Sequence, residues 1–172
     1  MKQKISQKSE GIQAFISEAP GLHLREIQRR LGIPLGTFRH HLQRLERLGL
    51  IHSEQDGRFR RFYSVGEVDP HQKRYFPVLR QKTPRRIVLH LMANETLTFV
   101  ELQERLGLTS SSLSLHLKNL KERGIVDPQR TGSRIEYRLR DREAVAEILS
   151  RYRQSFLDRL VDSALEVYEE SR

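Results

Sequence analysis

The chain has 172 residues, no cysteine and a formal net charge of +9, with 37% hydrophobic and 31% charged residues. The lack of cysteine excludes disulfides, thiolate metal sites and cysteine nucleophiles. The basic charge favours a polyanionic partner, nucleic acid before a membrane surface. Residues 1–9 are polar and no apolar run reaches the ~20 residues of a membrane span, so we expect a cytoplasmic protein without a membrane partner.

An internal repeat organises the chain. A shift of 75 residues aligns Ser9–Ser64 with Pro84–Leu139 without a gap. Identical residues recur at helical spacing and at turns, as in Leu22/Leu97, Glu26/Glu101, Leu31/Leu106, Gly32/Gly107, His41/His116, Leu45/Leu120 and Gly57/Gly132. Two homologous modules therefore make up most of the chain. We predict modules over 1–64 and 83–140, a linker over 65–82 and a C-terminal helix over 141–172.

The first module has the pattern of three helices followed by a hairpin. Gly32 ends the second helix at the position where a left-handed residue usually stands. Asp56-Gly57 is typical of a tight turn between two strands. The predicted elements are helices over Gly11–Ser17, Leu24–Leu31 and Leu35–Leu48 and strands over Leu50–His52 and Phe59–Ser64.

The third helix of the first module has a basic outer face. Phe38, Leu42 and Leu45 share its inner face at helical spacing. The residues predicted to contact DNA are Gly36, Thr37, Arg39, His40, Gln43, Arg44 and Arg47. None of them carries a carboxylate. In the DNA major groove, Arg binds guanine and Gln binds adenine through paired hydrogen bonds. The alternative is a solvated helix face that binds nothing.

The hairpin of the first module carries arginines at and behind its tip. Arg60 and Phe62 align with Ile135 and Tyr137 of the second module and are expected to face the core. Arg58 and Arg61 are therefore the predicted phosphate or minor-groove contacts. The linker Val65–Lys82 contains two prolines and several charges, so we predict little regular structure there.

The second module repeats the plan with a less basic outer face. Its predicted elements are helices over Arg85–Met92, Phe99–Leu106 and Ser110–Arg123 and a hairpin over Gly124–Leu139. Leu115 and Glu122 stand where the first module has His40 and Arg47. This module therefore either binds DNA weakly or is an interface. Its candidate DNA contacts are Ser111, Ser114, Lys118, Asn119, Arg130 and Arg134.

The segment Asp141–Glu169 has the pattern of one long amphipathic helix, with a net charge of −3 over residues 141–172. Its apolar stripe is longer than one small domain can easily cover, and large apolar patches rarely stay exposed. We therefore predict a homodimer held by Leu149, Tyr152, Phe156, Leu160 and Ala164.

Two runs of residues resemble motifs of known families. The run Ser114-Leu115-His116-Leu117, followed by Leu120 and Gly124-Ile125-Val126, is similar to the helix-turn-helix core of ArsR and MarR-like regulators. The run Leu31–Leu42 resembles the same motif in archaeal tandem winged-helix regulators. The resemblance implies a mainly α fold with small β-hairpin wings (α+β), in two tandem winged helix-turn-helix modules. It also implies DNA binding.

No pattern of residues indicates catalysis or a resident metal. His41 and His116 lie at the edge of the inner helix faces, where packed, hydrogen-bonded histidines are expected. No HExxH spacing, phosphate-binding glycine loop or nucleophile elbow occurs. ArsR-type metal sensing needs a cluster of cysteine or histidine ligands, and the chain has no cysteine. We predict no enzyme activity, no metal and no cofactor, while the sequence leaves any small-molecule effector undetermined.

The prediction is a sequence-specific transcription regulator that binds double-stranded DNA as a homodimer. Two alternatives stay open: an architectural or single-stranded-DNA-binding protein, and a tandem winged-helix scaffold for protein interactions. Charge argues against the scaffold, because the net charge is +6 over residues 1–75 and again over residues 76–140.

Overall fold

The chain divides into two compact units, residues 1–77 and residues 78–172. The structure is a computed structural model that describes residues 6–156 and 168. Each unit carries a helix-turn-helix and a β-hairpin wing, which confirms the mainly α fold with small β wings.

The first unit begins with three helices. These are α1 (Gln7–Glu18), α2 (Leu24–Leu31) and α3 (Leu35–Arg47). Ser6 caps α1, because its hydroxyl accepts a hydrogen bond from the backbone N–H of Ser9. Gly32 ends α2 with φ +64°, in the left-handed region that favours glycine, and so allows the tight turn into α3. One apolar cluster joins the three helices to the wing, through Ile12, Ile16, Leu22, Ile27, Phe38, Leu42, Leu45, Ile51 and Phe62.

The wing of the first unit is an antiparallel hairpin of β1 (Ile51–Asp56) and β2 (Phe59–Ser64). An isolated bridge between His23 and Arg61 adds a third chain segment at the free edge of β2. The backbone N–H of Gly21 donates to the Phe62 carbonyl at 2.9 Å, and that of Phe62 donates to the Leu22 carbonyl at 3.1 Å. The loop before α2 is thus fixed to the wing.

The segment Val65–Lys82 is more ordered than predicted. A 3-10 turn at Lys73–Tyr75 leads directly into α4 (Phe76–Leu79). Within the first unit, Tyr75 and Phe76 are buried, and Phe76 makes an edge-on contact with Tyr63 at 6.0 Å between ring centroids. The segment is therefore ordered although it contains two prolines, because the burial of its apolar side chains stabilises it.

The second unit repeats the first with a complete three-stranded sheet. Its helices are α5 (Lys82–Ala93), α6 (Phe99–Leu106) and α7 (Ser110–Glu122), and its strands are β3 (Leu97–Thr98), β4 (Val126–Thr131) and β5 (Arg134–Leu139). The strands are ordered β3-β5-β4. The pair Thr98 and Glu136 in this sheet corresponds, 75 residues on, to His23 and Arg61. Thr98 and Glu101 form a capping box at the start of α6.

The C-terminal segment is not one long helix in its described part. Helix α8 (Arg142–Arg151) ends at Tyr152, whose backbone is no longer helical, and the short helix α9 (Arg153–Phe156) follows. Leu149, Tyr152 and Phe156, predicted to form a dimer face, are buried within the second unit. The guanidinium of Arg80 lies 4.5 Å from the Phe156 ring centroid and donates to the Ser155 carbonyl at 2.8 Å.

The burial of these three side chains in the chain itself argues against the predicted role in a dimer face. Leu160 and Ala164, the other predicted dimer residues, lie outside the described residues. No helix within residues 6–156 is long and apolar enough to cross a membrane.

Candidate nucleic-acid interface

Helix α3 presents its polar face to solvent because its apolar face closes the core of the first unit. Phe38, Leu42 and Leu45 are buried on the inner side. Of the predicted contact residues on this helix, Arg44 is half-buried and the others are exposed: Gly36, Thr37, Arg39, His40, Gln43 and Arg47. None of the exposed residues of α3 is acidic. The helix therefore offers cations and an amide to a ligand without a repelling carboxylate among them.

The tip of the first wing is held by a local hydrogen bond. Gln55 Nε2 donates to the carbonyl of Gly57 at 2.7 Å. Gly57 has φ +57°, which the tight turn requires. Arg58 follows it and is exposed, with its guanidinium 5.1 Å from the Phe59 ring centroid. Arg58 is thus available to a phosphate.

Arg61, the second predicted wing contact, is buried and does not face solvent. Its residue is 3% exposed, Nε donates to Asp56 Oδ2 at 2.8 Å, and Nη1 donates to the Gly21 carbonyl at 2.9 Å. These contacts tie the wing to the loop before α2. The prediction of a DNA contact at Arg61 is therefore corrected to a structural role.

Arg60 shares the strand face of Phe62 towards α3, but its side chain is exposed where burial in the core was predicted. Its side chain is 55% exposed and bridges the wing to α3. Nη2 donates to both carboxylate oxygens of Glu46, at 2.8 and 3.0 Å, and Nε donates to the Ser53 hydroxyl at 2.6 Å. The Ser53 hydroxyl in turn donates to Glu46 Oε1 at 2.6 Å. Sequence reasoning missed this cluster, and the only signal for it was Arg60 and Glu46 replacing Ile135 and Lys121 in the repeat.

A groove separates α3 from the wing. It is a cavity of ≈ 310 Å³ lined by Leu24, Arg39, Leu42, Gln43, Glu46, Arg60 and Phe62. Apolar side chains form part of the lining, and two arginines, a glutamine and a glutamate supply its polar groups. Polar side chains of α3 and one arginine of the wing therefore line the same concave surface.

The outer face of α7 is less basic, as predicted. Ser111, Ser114, Lys118 and Asn119 are exposed, and Leu115 between them is 67% exposed. Lys118 Nζ lies 3.9 Å from Glu122 Oε1, so a carboxylate stands beside the main cation of this face.

The second wing is exposed and basic at its tip, while an apolar groove lies next to it. Arg130 and Arg134 are both exposed. The groove, of ≈ 760 Å³, is lined by Thr98, Phe99, Val100, Glu101, Ser133, Arg134, Ile135 and Tyr137. Ile135 stands here at the position that Arg60 occupies in the first unit. The corresponding surface thus differs chemically between the two units.

Two histidines of the first unit are held in hydrogen-bonded positions. His23 Nδ1 accepts a hydrogen bond from the backbone N–H of Glu26 at 3.4 Å, and the His23 ring stacks on Phe59 at 4.9 Å. The His41 Nδ1 atom lies 2.8 Å from the Ser9 hydroxyl, which agrees with the predicted packed histidine. Partial burial, and nearby positive charges to a lesser extent, lower the pKa of both rings.

Within the described part of the chain, no group of three or more His, Asp or Glu residues is arranged to hold a metal ion. His41 uses its Nδ1 atom to contact Ser9. The described histidines therefore do not form a metal-ligand set.

Comparison with protein families matches both halves of the chain. Residues 6–76 match a family model described as an N-terminal HTH domain, and residues 79–129 match one described as a helix-turn-helix domain. The chain carries two helix-turn-helix domains in tandem.

One similar protein is described as a transcriptional regulator. An uncharacterized HTH-type transcriptional regulator of Methanocaldococcus jannaschii, MJ1398, is 31% identical over 125 residues, which are 72% of this chain. The match covers 31% of that protein, so this chain spans less than a third of its relative's length.

Solved structures match about half of the chain. Reduced HlyU from Vibrio cholerae is 28% identical over 47% of this chain and 86% of its own, with a TM-score of 0.41. Rv0081 from M. tuberculosis is 28% identical over 56% of this chain and 98% of its own, with a TM-score of 0.43. The ArsR family transcriptional regulator RHA00566 is 20% identical over 51% of this chain and 92% of its own, with a TM-score of 0.38.

Proposed function

We propose that the chain is a sequence-specific transcription regulator that binds double-stranded DNA in the cytoplasm and catalyses no reaction. The observation that carries this proposal is the exposed face of α3, which holds Arg39, Gln43 and Arg47 without an acidic neighbour among its exposed residues. A helix with this surface, preceded by a tight turn, is the element that helix-turn-helix proteins insert into the major groove. The two helix-turn-helix domains and the regulator from M. jannaschii support it.

We assign different DNA contacts to α3 and to the tip of the wing. The α3 side chains reach base edges, and Arg58 at the tip of the wing reaches a phosphate beside them. The second unit contributes less, because Lys118 is paired with Glu122 and Leu115 replaces a polar residue.

Selection from a random duplex pool tests this proposal directly. The intact chain is expected to recover one family of related sequences, with binding that weakens steeply as salt rises because counterions are released from phosphates. Recovery of unrelated duplexes with the same salt dependence would instead indicate an architectural protein. Absence of salt-dependent binding to duplex or single-stranded DNA would favour the scaffold and overturn the proposal.

Homodimerisation stays a prediction, and it is based on the geometry of helix-turn-helix dimers in general. Helix-turn-helix dimers place two recognition helices about 34–36 Å apart, one turn of B-DNA, and so read a palindromic site. Leu149, Tyr152 and Phe156 are buried in the chain itself, so we do not propose them as the interface. A palindrome among the selected sequences would support a dimer.

A further inference from the structure

The contact between α3 and the first wing has an arrangement that the second unit lacks. Glu46 lies in the last turns of α3, Ser53 lies on β1, and Arg60 lies on β2. The side chains meet through four short hydrogen bonds: 2.6 Å between Ser53 and Glu46, 2.6 Å between Arg60 and Ser53, and 2.8 and 3.0 Å between Arg60 and Glu46. We call these three residues the helix–wing clamp.

The corresponding positions of the second unit cannot form such a cluster. A shift of 75 residues brings Glu46, Ser53 and Arg60 onto Lys121, Pro128 and Ile135. None of these three side chains is an acceptor, and only Lys121 is charged. The clamp therefore belongs to the module with the basic recognition helix and cannot be a general requirement of the repeat.

The position of the clamp matters for DNA. Glu46 and Arg60 both line the groove between α3 and the wing, where a phosphate would approach. The Glu46 side chain is only 22% exposed, so its attraction for the guanidinium is less screened than at an open surface. An arginine that is neutralised in this way adds no net positive charge to the face, and it releases no counterion when DNA binds.

We propose that Glu46 and Ser53 hold Arg60 as a strut between α3 and the wing, and that Glu46 thereby withholds this cation from DNA phosphates. The first module then discriminates more sharply between its own site and other duplexes, because sequence-independent affinity comes from phosphate contacts. Arg60 is a positioning residue in this scheme: it sets the distance between the base-reading helix and Arg58 at the wing tip. The inference rests on the proposed DNA-binding function.

The test uses the intact chain and two duplexes of equal length, one recovered from the random pool and one with the same bases scrambled. Dissociation constants are measured over a range of salt concentrations for the wild type and for Glu46→Gln. Glu46→Gln is expected to bind the scrambled duplex several-fold tighter. The negative slope of log K against log salt should become steeper by about 0.9, the value for one added phosphate contact. The ratio of affinities for the two duplexes should fall.

Two further variants separate positioning from simple charge. Glu18→Gln removes one negative charge at the exposed end of α1, outside the clamp, and should leave the ratio unchanged. Arg60→Ala should lower the ratio while leaving the salt slope unchanged, since the guanidinium makes no phosphate contact. A salt slope that becomes shallower by about 0.9 in Arg60→Ala would place Arg60 on a phosphate and overturn the inference.

The failure of this inference is distinguishable from failure of the proposed function. If the wild type binds the selected duplex with a steep salt slope while Glu46→Gln leaves the slope and the affinity ratio unchanged, that result contradicts the clamp inference alone. A wild type without salt-dependent DNA binding sinks both. Circular dichroism of each variant checks folding, and if Glu46→Gln proves unfolded, Arg60→Ala decides the matter through its slope.

Discussion

At the scale of single residues, His23 links two parts of the first unit. Its Nδ1 atom accepts the cap hydrogen bond at the start of α2, and its ring stacks on Phe59 of the wing. A protonated Nδ1 cannot accept that bond. Burial lowers the pKa of His23 from its usual value, and the positive charges of Arg61, Arg29 and Arg25 add to this effect, against the opposing effect of Glu26. The folded state therefore favours the neutral ring.

The sign of the resulting pH dependence follows from linkage. A histidine with a lowered pKa in the fold contributes stability that is present above about pH 6.5, its ordinary value, and is lost as pH falls through the lower folded value. We expect the midpoint of thermal unfolding to drop between pH 7 and pH 5. His23→Asn, which keeps a capping side chain without a titrating ring, should lessen that drop.

His71 offers the matched control for this experiment. It is exposed and does not cap an α-helix, and His71→Asn makes the same histidine-to-asparagine change there. A pH profile altered equally by both substitutions would contradict a specific role for His23. Unfolding followed by circular dichroism at several pH values makes the comparison.

Substitution of Arg47 tests, also at the scale of single residues, whether the exposed face of α3 contacts DNA. It is exposed on α3, and a paired contact with guanine is worth about 1–3 kcal/mol. Arg47→Ala is expected to weaken binding to the selected duplex by that amount, and Arg44→Ala by a similar amount if its half-buried side chain also reaches a base. Lys118→Ala on α7 should cost less, because Lys118 stands beside Glu122. A larger loss for Lys118→Ala would assign the main contact to the second unit.

At the scale of elements, the loop between α1 and α2 depends on a close approach of the Gly21 backbone to the Phe76 side chain. Gly21 has φ +76°, and a Cβ placed on it would lie 2.5 Å from the Cβ of Phe76. The loop is also hydrogen-bonded to the wing through Gly21 and Phe62. Only glycine fits this position, because both the backbone angle and the space exclude a side chain.

Two alanine substitutions test this element with opposite expected signs. Gly21→Ala should lower the free energy of unfolding by about 2 kcal/mol or more, since strain at positive φ costs about 1–3 kcal/mol and Phe76 must shift as well. Gly11→Ala, in the middle of α1 with no atom within 4 Å of the new Cβ, should raise it by about 0.5–1 kcal/mol. Denaturant unfolding measures both, and a Gly21→Ala chain as stable as the wild type would refute the close approach.

At the scale of the whole molecule, the C-terminal segment contributes to the core of the second unit. Phe156 is 4% exposed and lies under the guanidinium of Arg80. Phe156→Asp should therefore destabilise that unit by at least about 3 kcal/mol, the cost of removing a buried phenyl ring, with the burial of a carboxylate in addition. Gln154→Asp, at an exposed position of α9, should leave stability unchanged. Equal unfolding midpoints for the two variants would contradict the burial.

The oligomeric state is a separate measurement. Sedimentation equilibrium of the intact wild type at micromolar concentration is expected to give twice the chain mass of 20.3 kDa. A monomer at that concentration would contradict the predicted homodimer. Phe156→Asp is unsuitable for this purpose, because loss of association could follow from loss of folding.

Much of the architecture could be predicted from local patterns. Residue type and spacing predict the 75-residue repeat, the order of helices and the turns at Gly32 and Asp56-Gly57. The outer face of α3 was also predictable, because a helix has a period of 3.6 residues and only one of its faces carried Phe38, Leu42 and Leu45. The runs around Leu31–Leu42 and Ser114–Val126 predicted helix-turn-helix domains, and the two domain matches confirm them.

Only the tertiary structure decided which arginine of the wing faces solvent. A strand alternates with a period of two, so Arg61 and Tyr63 necessarily share a face opposite Arg60 and Phe62. The pattern does not say how each face is covered. Residues far along the chain, Gly21 before α2 and Phe76 after the wing, bury Arg61 and Tyr63.

The same physical reason governs the C-terminal segment. Its spacing predicted a helix with one apolar face but could not identify what covers that face. Within the described residues the covering comes from the chain's own second unit, with Arg80 stacked on Phe156. Local sequence thus determined the elements and their faces, whereas long-range packing decided the partner of each face, since burial depends on residues that are distant in sequence.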